Sequence, residues 1–223
     1  MNILSIKNIY YRADNTDILK GISIDVKEGD CISIIGSSGS GKSTLLKICS
    51  DLITPSCGDI YYREKNYKDY NPLDLRRKIS YCIQTPYLFG ETVFENIIFP
   101  FKIRNEEIDK SEVMRLFKKF NLDESFLDKE IKSLSGGEKQ RIALVRNLIY
   151  TPDILLLDEV TSALDKENCK LVEAYIKELN DKGVTIVWVT HSMEQSESIF
   201  NKRIVISEGK VEKMEELRWV QYL

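Results

Sequence analysis

Three features of the sequence predict an α/β fold with a mainly parallel core sheet. Ile154–Leu157 and Val184–Val189 are near-continuous apolar runs, the pattern of parallel strands covered on both faces. The stretch from about Lys166 to Leu179 between them reads as a helix, so strand, helix and strand alternate. From about Phe89 to Tyr150 strand-like runs largely vanish and a 3.6-residue period takes over, which predicts a helical subdomain inserted into the α/β core.

The remaining elements follow in order. Residues 1–35 are β-rich: the runs Ile18–Val26 and Cys31–Ile35 are separated by the turn-like RADNTD and KEGD, and they predict an N-terminal antiparallel β subdomain. A helix is expected from about Lys42 to Asp51, after a Gly-rich turn, and GDIYY and KISYCI read as two further strands. In the middle, Val113, Met114, Phe117 and Phe120 share one helical face, as do Ile142, Val145 and Ile149. The tail EKMEELRWVQYL reads as a short amphipathic helix packed on its own domain. The expected organisation is a single domain, 1–223. Within it, 1–88 and 151–223 form the α/β core with the β subdomain, and 89–150 forms the helical subdomain.

Composition narrows the function classes. The chain has 223 residues, a formal net charge of -3 and 43% hydrophobic residues, enough to bury a full core. With no long Lys/Arg block, a nucleic-acid partner is not expected. The five cysteines (Cys31, Cys49, Cys57, Cys82 and Cys169) form no C-x-x-C pair, which fits a reduced cytosolic protein better than a disulfide framework or a zinc site. No signal peptide is visible at MNILSIKNIY, and no apolar run approaches the ~18–20 residues that cross a bilayer. A membrane role therefore calls for a spanning partner chain.

The strongest motif is Gly36-Ser37-Ser38-Gly39-Ser40-Gly41-Lys42-Ser43, which fits G-x-x-x-x-G-K-[ST] between the strand-like CISII and a helix opening at Thr44. Its glycines let backbone N–H groups turn inward around phosphate oxygens, and the helix adds its positive N-terminal end. Lys42 supplies a charge to the β- and γ-phosphates, and the Ser43 hydroxyl is a Mg²⁺ ligand. A flexible Gly/Ser loop is the bland alternative, and the flanking strand and helix count against it.

Asp158 and Glu159 close the apolar run Ile154–Leu157. In open parallel sheets ligands sit at the carboxyl ends of strands, where the phosphate loop also lies. Asp158 is expected to hold Mg²⁺ and Glu159 to orient or deprotonate the attacking water. His191, the one histidine, follows the run ending at Val189 and is expected at the γ-phosphate or the water. A second Gly-rich motif, Leu134-Ser135-Gly136-Gly137-Glu138-Lys139-Gln140-Arg141, opens a helix with a capping-box pattern between Ser135 and Glu138. The motif is either an ordinary capped helix or a second anion site.

LSGGEKQR resembles the signature of the ATP-binding cassette (ABC) ATPases. The rest of that family's motifs follow in order across essentially the whole chain: GSSGSGKS, a Q-loop at Gln84 in YCIQTPYLF, the signature, ILLLDE, a D-loop at Ser162-Ala163-Leu164-Asp165, and His191. The resemblance implies an ATPase of the P-loop NTPase type that binds ATP and Mg²⁺ and pairs head-to-tail with a second copy of itself. Each ATP would lie between one copy's phosphate loop and the other's Ser135, Gly136 and Gly137, with Asp165 nearby. Gln84 would contact Mg²⁺ or water and sense a transmembrane permease, which places the chain on the cytoplasmic face of the membrane. An aromatic upstream of the phosphate loop would stack on adenine: Tyr11 matches best, with Tyr10 the close alternative. The Q-loop through IFPFKIRN, with LSGGEKQRIALVRNL and LLLDEVTSALD, is similar to the FetA-type group of iron-export ATP-binding subunits, which implies a FetB-like membrane partner. The stretch DKEIKS before the signature lacks the acidic, Gly-containing pattern of large fused exporters, which favours a separate small subunit.

Overall fold

A computed structural model describes residues 1–190 and 199–217. It divides into two compact units: 1–81 with 153–159 and 179–223, and 82–152 with 160–178.

The first unit holds both sheets. β1 (Asn2–Ala13) and β2 (Thr16–Lys27) form a long antiparallel hairpin, with β4 (Cys57–Tyr62) and the short β5 (Lys65–Asn66) completing a sheet of order β2-β1-β4-β5. Alternation decides part of its buried face: Leu4 with Ile6, and Ile22 with Ile24, are buried as a period-2 pattern places them. Ile9 and Leu19 fall out of that period, and the shifts in the β1–β2 register between Ile6 and Ile9 and between Ile9 and Tyr10 accompany their return to the buried face. The other sheet has the order β10-β9-β3-β8-β7-β6, with β6 spanning Ile79–Cys82. β3 (Cys31–Ile35), β7 (Ile154–Asp158), β8 (Thr185–Val189) and β9 (Lys202–Ser207) run parallel. Every residue of β7 and β8 is buried, as their unbroken apolar runs predict. At the edge, β10 (Lys210–Glu216) pairs antiparallel with β9.

That edge strand corrects the reading of the tail. Residues 212–216, expected in an amphipathic helix, continue the β9 ladder instead, from Val211↔Ile206 to Glu216↔Lys202. An open sheet edge offers each added residue a ready set of backbone partners, and this outweighs a weak helical period. Leu217 follows the strand and donates its N–H to the Asn201 carbonyl at 2.8 Å, and the rest of the expected helix, 218–223, lies outside the described residues.

The phosphate-loop helix α1 (Lys42–Cys49) buries Leu45, Leu46, Ile48 and Cys49 in this unit's core. The strands β5 and β9 and the helix α2 (Pro72–Lys78) escaped the sequence reading. Pro72 fixes the first turn of α2 and the Asn71 side chain accepts from Leu73 N, so a cap and an N-terminal proline start the helix with little periodicity to announce it.

The second unit is built on helices. α3 (Val93–Lys102) starts at a capping box between Thr92 and Glu95; α4 (Lys110–Lys119) is capped by Asp109; α5 (Gly136–Leu148) is capped by Ser135. Val113, Phe117, Phe120, Ile142, Val145 and Ile149 are buried, as their spacing predicts, and Met114 is half-buried. α6 (Lys166–Asp181) begins in this unit and ends in the first.

Candidate functional site

The phosphate loop links β3 to α1, in the strand–turn–helix context that its sequence requires. Gly36 has φ 154°, and a Cβ there would lie 2.1 Å from the Ile206 carbonyl oxygen. Gly41 caps α1 in the left-handed region, and its Cβ would meet Leu19 Cδ2 at 2.6 Å. Both positions are closed to other residues by backbone angle and by contact. The loop is tied down at Ser40, whose carbonyl accepts from Gly209 N at 3.2 Å in the β9–β10 turn.

Lys42 is 5% exposed, and its Nζ donates to the carbonyls of Gly36 at 2.9 Å and Ser37 at 2.8 Å. Burial lowers its pKa, against the pull of Glu159 and Asp158, whose charges raise it. Ser43 Oγ donates to Asp158 Oδ1 at 3.0 Å, so the loop and the end of β7 meet. Asp158 is 2% exposed and its other oxygen accepts from Tyr81 OH at 2.8 Å. Glu159 follows with φ 49°, a left-handed conformation uncommon outside glycine, held by its N–H on the Val189 carbonyl at 3.0 Å. The carboxyl ends of β3, β8 and β7 thus gather the ammonium, the hydroxyl and both carboxylates.

These groups fit a nucleotide phosphate chain with a divalent cation. Ser40 Oγ is buried and has no hydrogen-bond partner among the described residues, so it and Lys42 can answer anionic oxygens. A hydroxyl on a buried carboxylate is an oxygen-donor pair suited to a hard cation. Ser37, Ser38 and Gly39 are exposed at the loop's crest, and Thr44 is half-buried in the first turn of α1.

The β1–β2 register distinguishes the two upstream tyrosines. Tyr11 pairs with Leu19, the residue beneath Gly41, and is half-buried against the core. Tyr10 is 42% exposed, and a Cβ added at Gly21 would lie 2.9 Å from its hydroxyl.

Gln84 and the signature belong to the second unit. Gln84 is exposed, two residues beyond β6 (Ile79–Cys82). Ser135 and Glu138 form the capping box that their spacing predicts: Glu138 N donates to Ser135 Oγ at 3.2 Å, and Ser135 N to Glu138 Oε2 at 2.7 Å. Ser135 and Gly136 are exposed at the start of α5. At Gly137 a Cβ would lie 3.3 Å from the Ala163 carbonyl oxygen, so a glycine lets the segment 162–165 approach the helix closely. Asp165 accepts from Asn168 N at 2.8 Å, which holds its carboxyl below the usual carboxylate range. His191 lies outside the described residues. Tyr81 went unread in the sequence, because a tyrosine three residues before Gln84 carries no motif.

Comparisons with known proteins agree with this geometry. Residues 19–162 match the ABC transporter family. The chain is 42% identical over 197 residues to the "Probable iron export ATP-binding protein FetA" of Escherichia coli K12, covering 86% of each chain. It is 36% identical over 217 residues to the "Spermidine/putrescine import ATP-binding protein PotA" of Spiroplasma citri, and spans 61% of that relative's length. Among solved structures it is similar to the ATP-binding cassette MJ0796, in a dimeric post-hydrolysis state bound to ADP and Pi. There the TM-score is 0.87 and the identity 32%, over 96% of this chain and 99% of that one. The chain belongs to the ABC transporter family. It is an ATP-binding cassette subunit that hydrolyses ATP.

Proposed function

We propose that the cassette powers a membrane transporter by ATP-driven head-to-tail pairing with a second copy of itself, and that its cargo is a metal ion, iron, moved outward. The observation that carries the motor reading is the Lys42 ammonium held on two loop carbonyls beside a Ser43–Asp158 hydrogen bond. It is the donor set of a phosphate site, closed on itself.

In this reading Gly36, Ser37, Ser38, Gly39, Ser40, Gly41, Lys42, Ser43 and Thr44 bind the phosphates, and Tyr11 stacks on adenine, favoured over Tyr10 by its register opposite Leu19. Ser43, Gln84 and Asp158 hold Mg²⁺, which when bound neutralises charge on the β- and γ-phosphate oxygens. Glu159, which follows β7 with an uncommon left-handed backbone angle, takes a proton from, or orients, the attacking water. Lys42 and His191 stabilise the charge that develops on the γ-phosphoryl group. Ser135, Gly136 and Gly137 of the second copy close over the same phosphate from an exposed helix N-terminus, with Asp165 beside them. A transmembrane permease, FetB-like in the iron-export reading, receives the work through the Gln84 segment, with the cassette peripheral on the cytoplasmic face. No helix among the described residues is long and apolar enough to cross a membrane.

Identity favours iron export: the match to FetA reaches 42% and spans 86% of that protein. Polyamine import is the second reading, resting on the 36% match that covers 96% of this chain. In this reading the cargo path belongs to the permease; among the described residues no group of three or more His, Cys, Asp or Glu side chains is placed to hold a metal ion. The test is to co-purify the tagged cassette with its membrane partner and reconstitute the pair in vesicles. ATP turnover that rises with Fe²⁺ and not with spermidine supports iron export. A rise with spermidine alone replaces that reading with polyamine import. Recovery of soluble chains only removes the transport role and leaves the ATPase.

A further inference from the structure

We infer that Tyr81 is a positioning residue for the cation site: its hydroxyl fixes the Asp158 carboxylate so that one oxygen is held for Ser43. The inference rests on the reading of Ser43 and Asp158 as the residues that hold Mg²⁺.

Tyr81 lies in β6, which neighbours β7 in the sheet, and Asp158 is the last residue of β7. Tyr81 OH donates to Asp158 Oδ2 at 2.8 Å while Ser43 Oγ donates to Oδ1 at 3.0 Å. The torsion that turns an aspartate's carboxyl plane is broad and two-fold, so the side chain alone does not choose an orientation. Two donors on opposite oxygens do choose one. Asp158 is buried, away from the water that would otherwise compete for those oxygens, and hydrogen bonds to an ionised group are the strong ones.

The arrangement also sets Ser43. A hydroxyl has one proton and two acceptor lone pairs. With its proton committed to Asp158 Oδ1, the lone pairs of Ser43 remain for a cation. Tyr81 thus acts on the site through Asp158, in the way that outer partners orient metal ligands elsewhere. The ring of Tyr81 packs against the apolar core of the first unit, so Tyr81→Phe removes the donor and keeps the packing.

The test uses Mn²⁺ as the probe, titrated by electron paramagnetic resonance into the full-length protein loaded with a non-hydrolysable ATP analogue. In Tyr81→Phe the Mn²⁺ affinity of the nucleotide complex is expected to fall about tenfold. Nucleotide affinity measured without metal should stay within about twofold, because nothing of the phosphate loop has been touched. In an Asp158→Asn background, Tyr81→Phe should add nothing further. If Asp158→Asn weakens Mn²⁺ binding and Tyr81→Phe does not, the inference is overturned while the cation site stands. If Asp158→Asn also leaves Mn²⁺ affinity unchanged, the cation reading itself fails. Tyr81→Met, which removes the hydroxyl and keeps apolar bulk, gives the same reading should the phenylalanine variant fail to fold.

Discussion

Lys42 illustrates how a single side chain can carry the nucleotide site. Its ammonium is buried and satisfied by two backbone carbonyls of its own loop, so phosphate oxygens compete for a group already desolvated. Hydrogen bonds to charged groups contribute roughly 1.5–3 kcal/mol. Lys42→Ala should therefore weaken ATP binding by about 10- to 100-fold, read by fluorescent-nucleotide titration; an unchanged affinity would remove the phosphate role. Glu159→Gln should behave in the opposite way. It keeps the shape and loses the proton acceptor, so ATP should still bind while turnover falls about 10²- to 10⁴-fold. Wild-type turnover in that variant would strip Glu159 of its role. At this scale the sequence was a good guide wherever chemistry needs adjacent residues. The phosphate loop, the Asp158–Glu159 pair and the Ser135–Glu138 capping box are each local patterns. Tyr81 was not legible, because its partner Asp158 is 77 positions away and only strand order brings them together.

Among elements, the start of α3 depends on one buried amide. Asn96 is fully buried, and its Oδ1 accepts from Phe89 N at 3.1 Å and Arg146 Nη1 at 2.9 Å. Its Nδ2 donates to the Phe89 and Thr92 carbonyls at 2.8 and 3.1 Å. The full capacity of the side chain is used to join the segment before α3 to the C-terminal part of α5. Arg146 is itself buried enough to lower its pKa. Asn96→Ala should cost about 2–4 kcal/mol, because it strands buried backbone groups and a buried guanidinium together. At roughly 2–4 °C per kcal/mol for a chain of this size, thermal unfolding should show the midpoint fall by about 5–15 °C. A change of a degree or less would mean that the network is replaced by water. Elements were legible in proportion to their periodicity: β3, β7, β8 and the apolar faces of α4 and α5 stood out. By contrast, α2 is announced only by Asn71 and Pro72, and β10 owes its form to the edge of β9 rather than to its own residues.

For the whole molecule, the head-to-tail pairing makes a prediction that separates it from a cassette working alone. The phosphate loop lies in the first unit, and the exposed Ser135–Gly136 start of α5 lies in the second. In a single chain, ATP bound at Lys42 slows amide exchange through 36–44 by the binding free energy, about 2.7 kcal/mol at a hundredfold excess over Kd. Pairing adds a second protected segment, 135–137, and ties it to protein concentration, because the nucleotide then meets α5 of another copy. Hydrogen exchange on Glu159→Gln with ATP, run at a low and a high protein concentration, reads both. Protection of 36–44 should appear at each concentration, and protection of 135–137 only at the higher. Lys42→Ala should show neither. If 135–137 is protected equally at both concentrations, the contact is made within one chain and the paired arrangement fails. If it is never protected, the signature does not close on nucleotide in the absence of the permease, and dimerisation belongs to the assembled transporter.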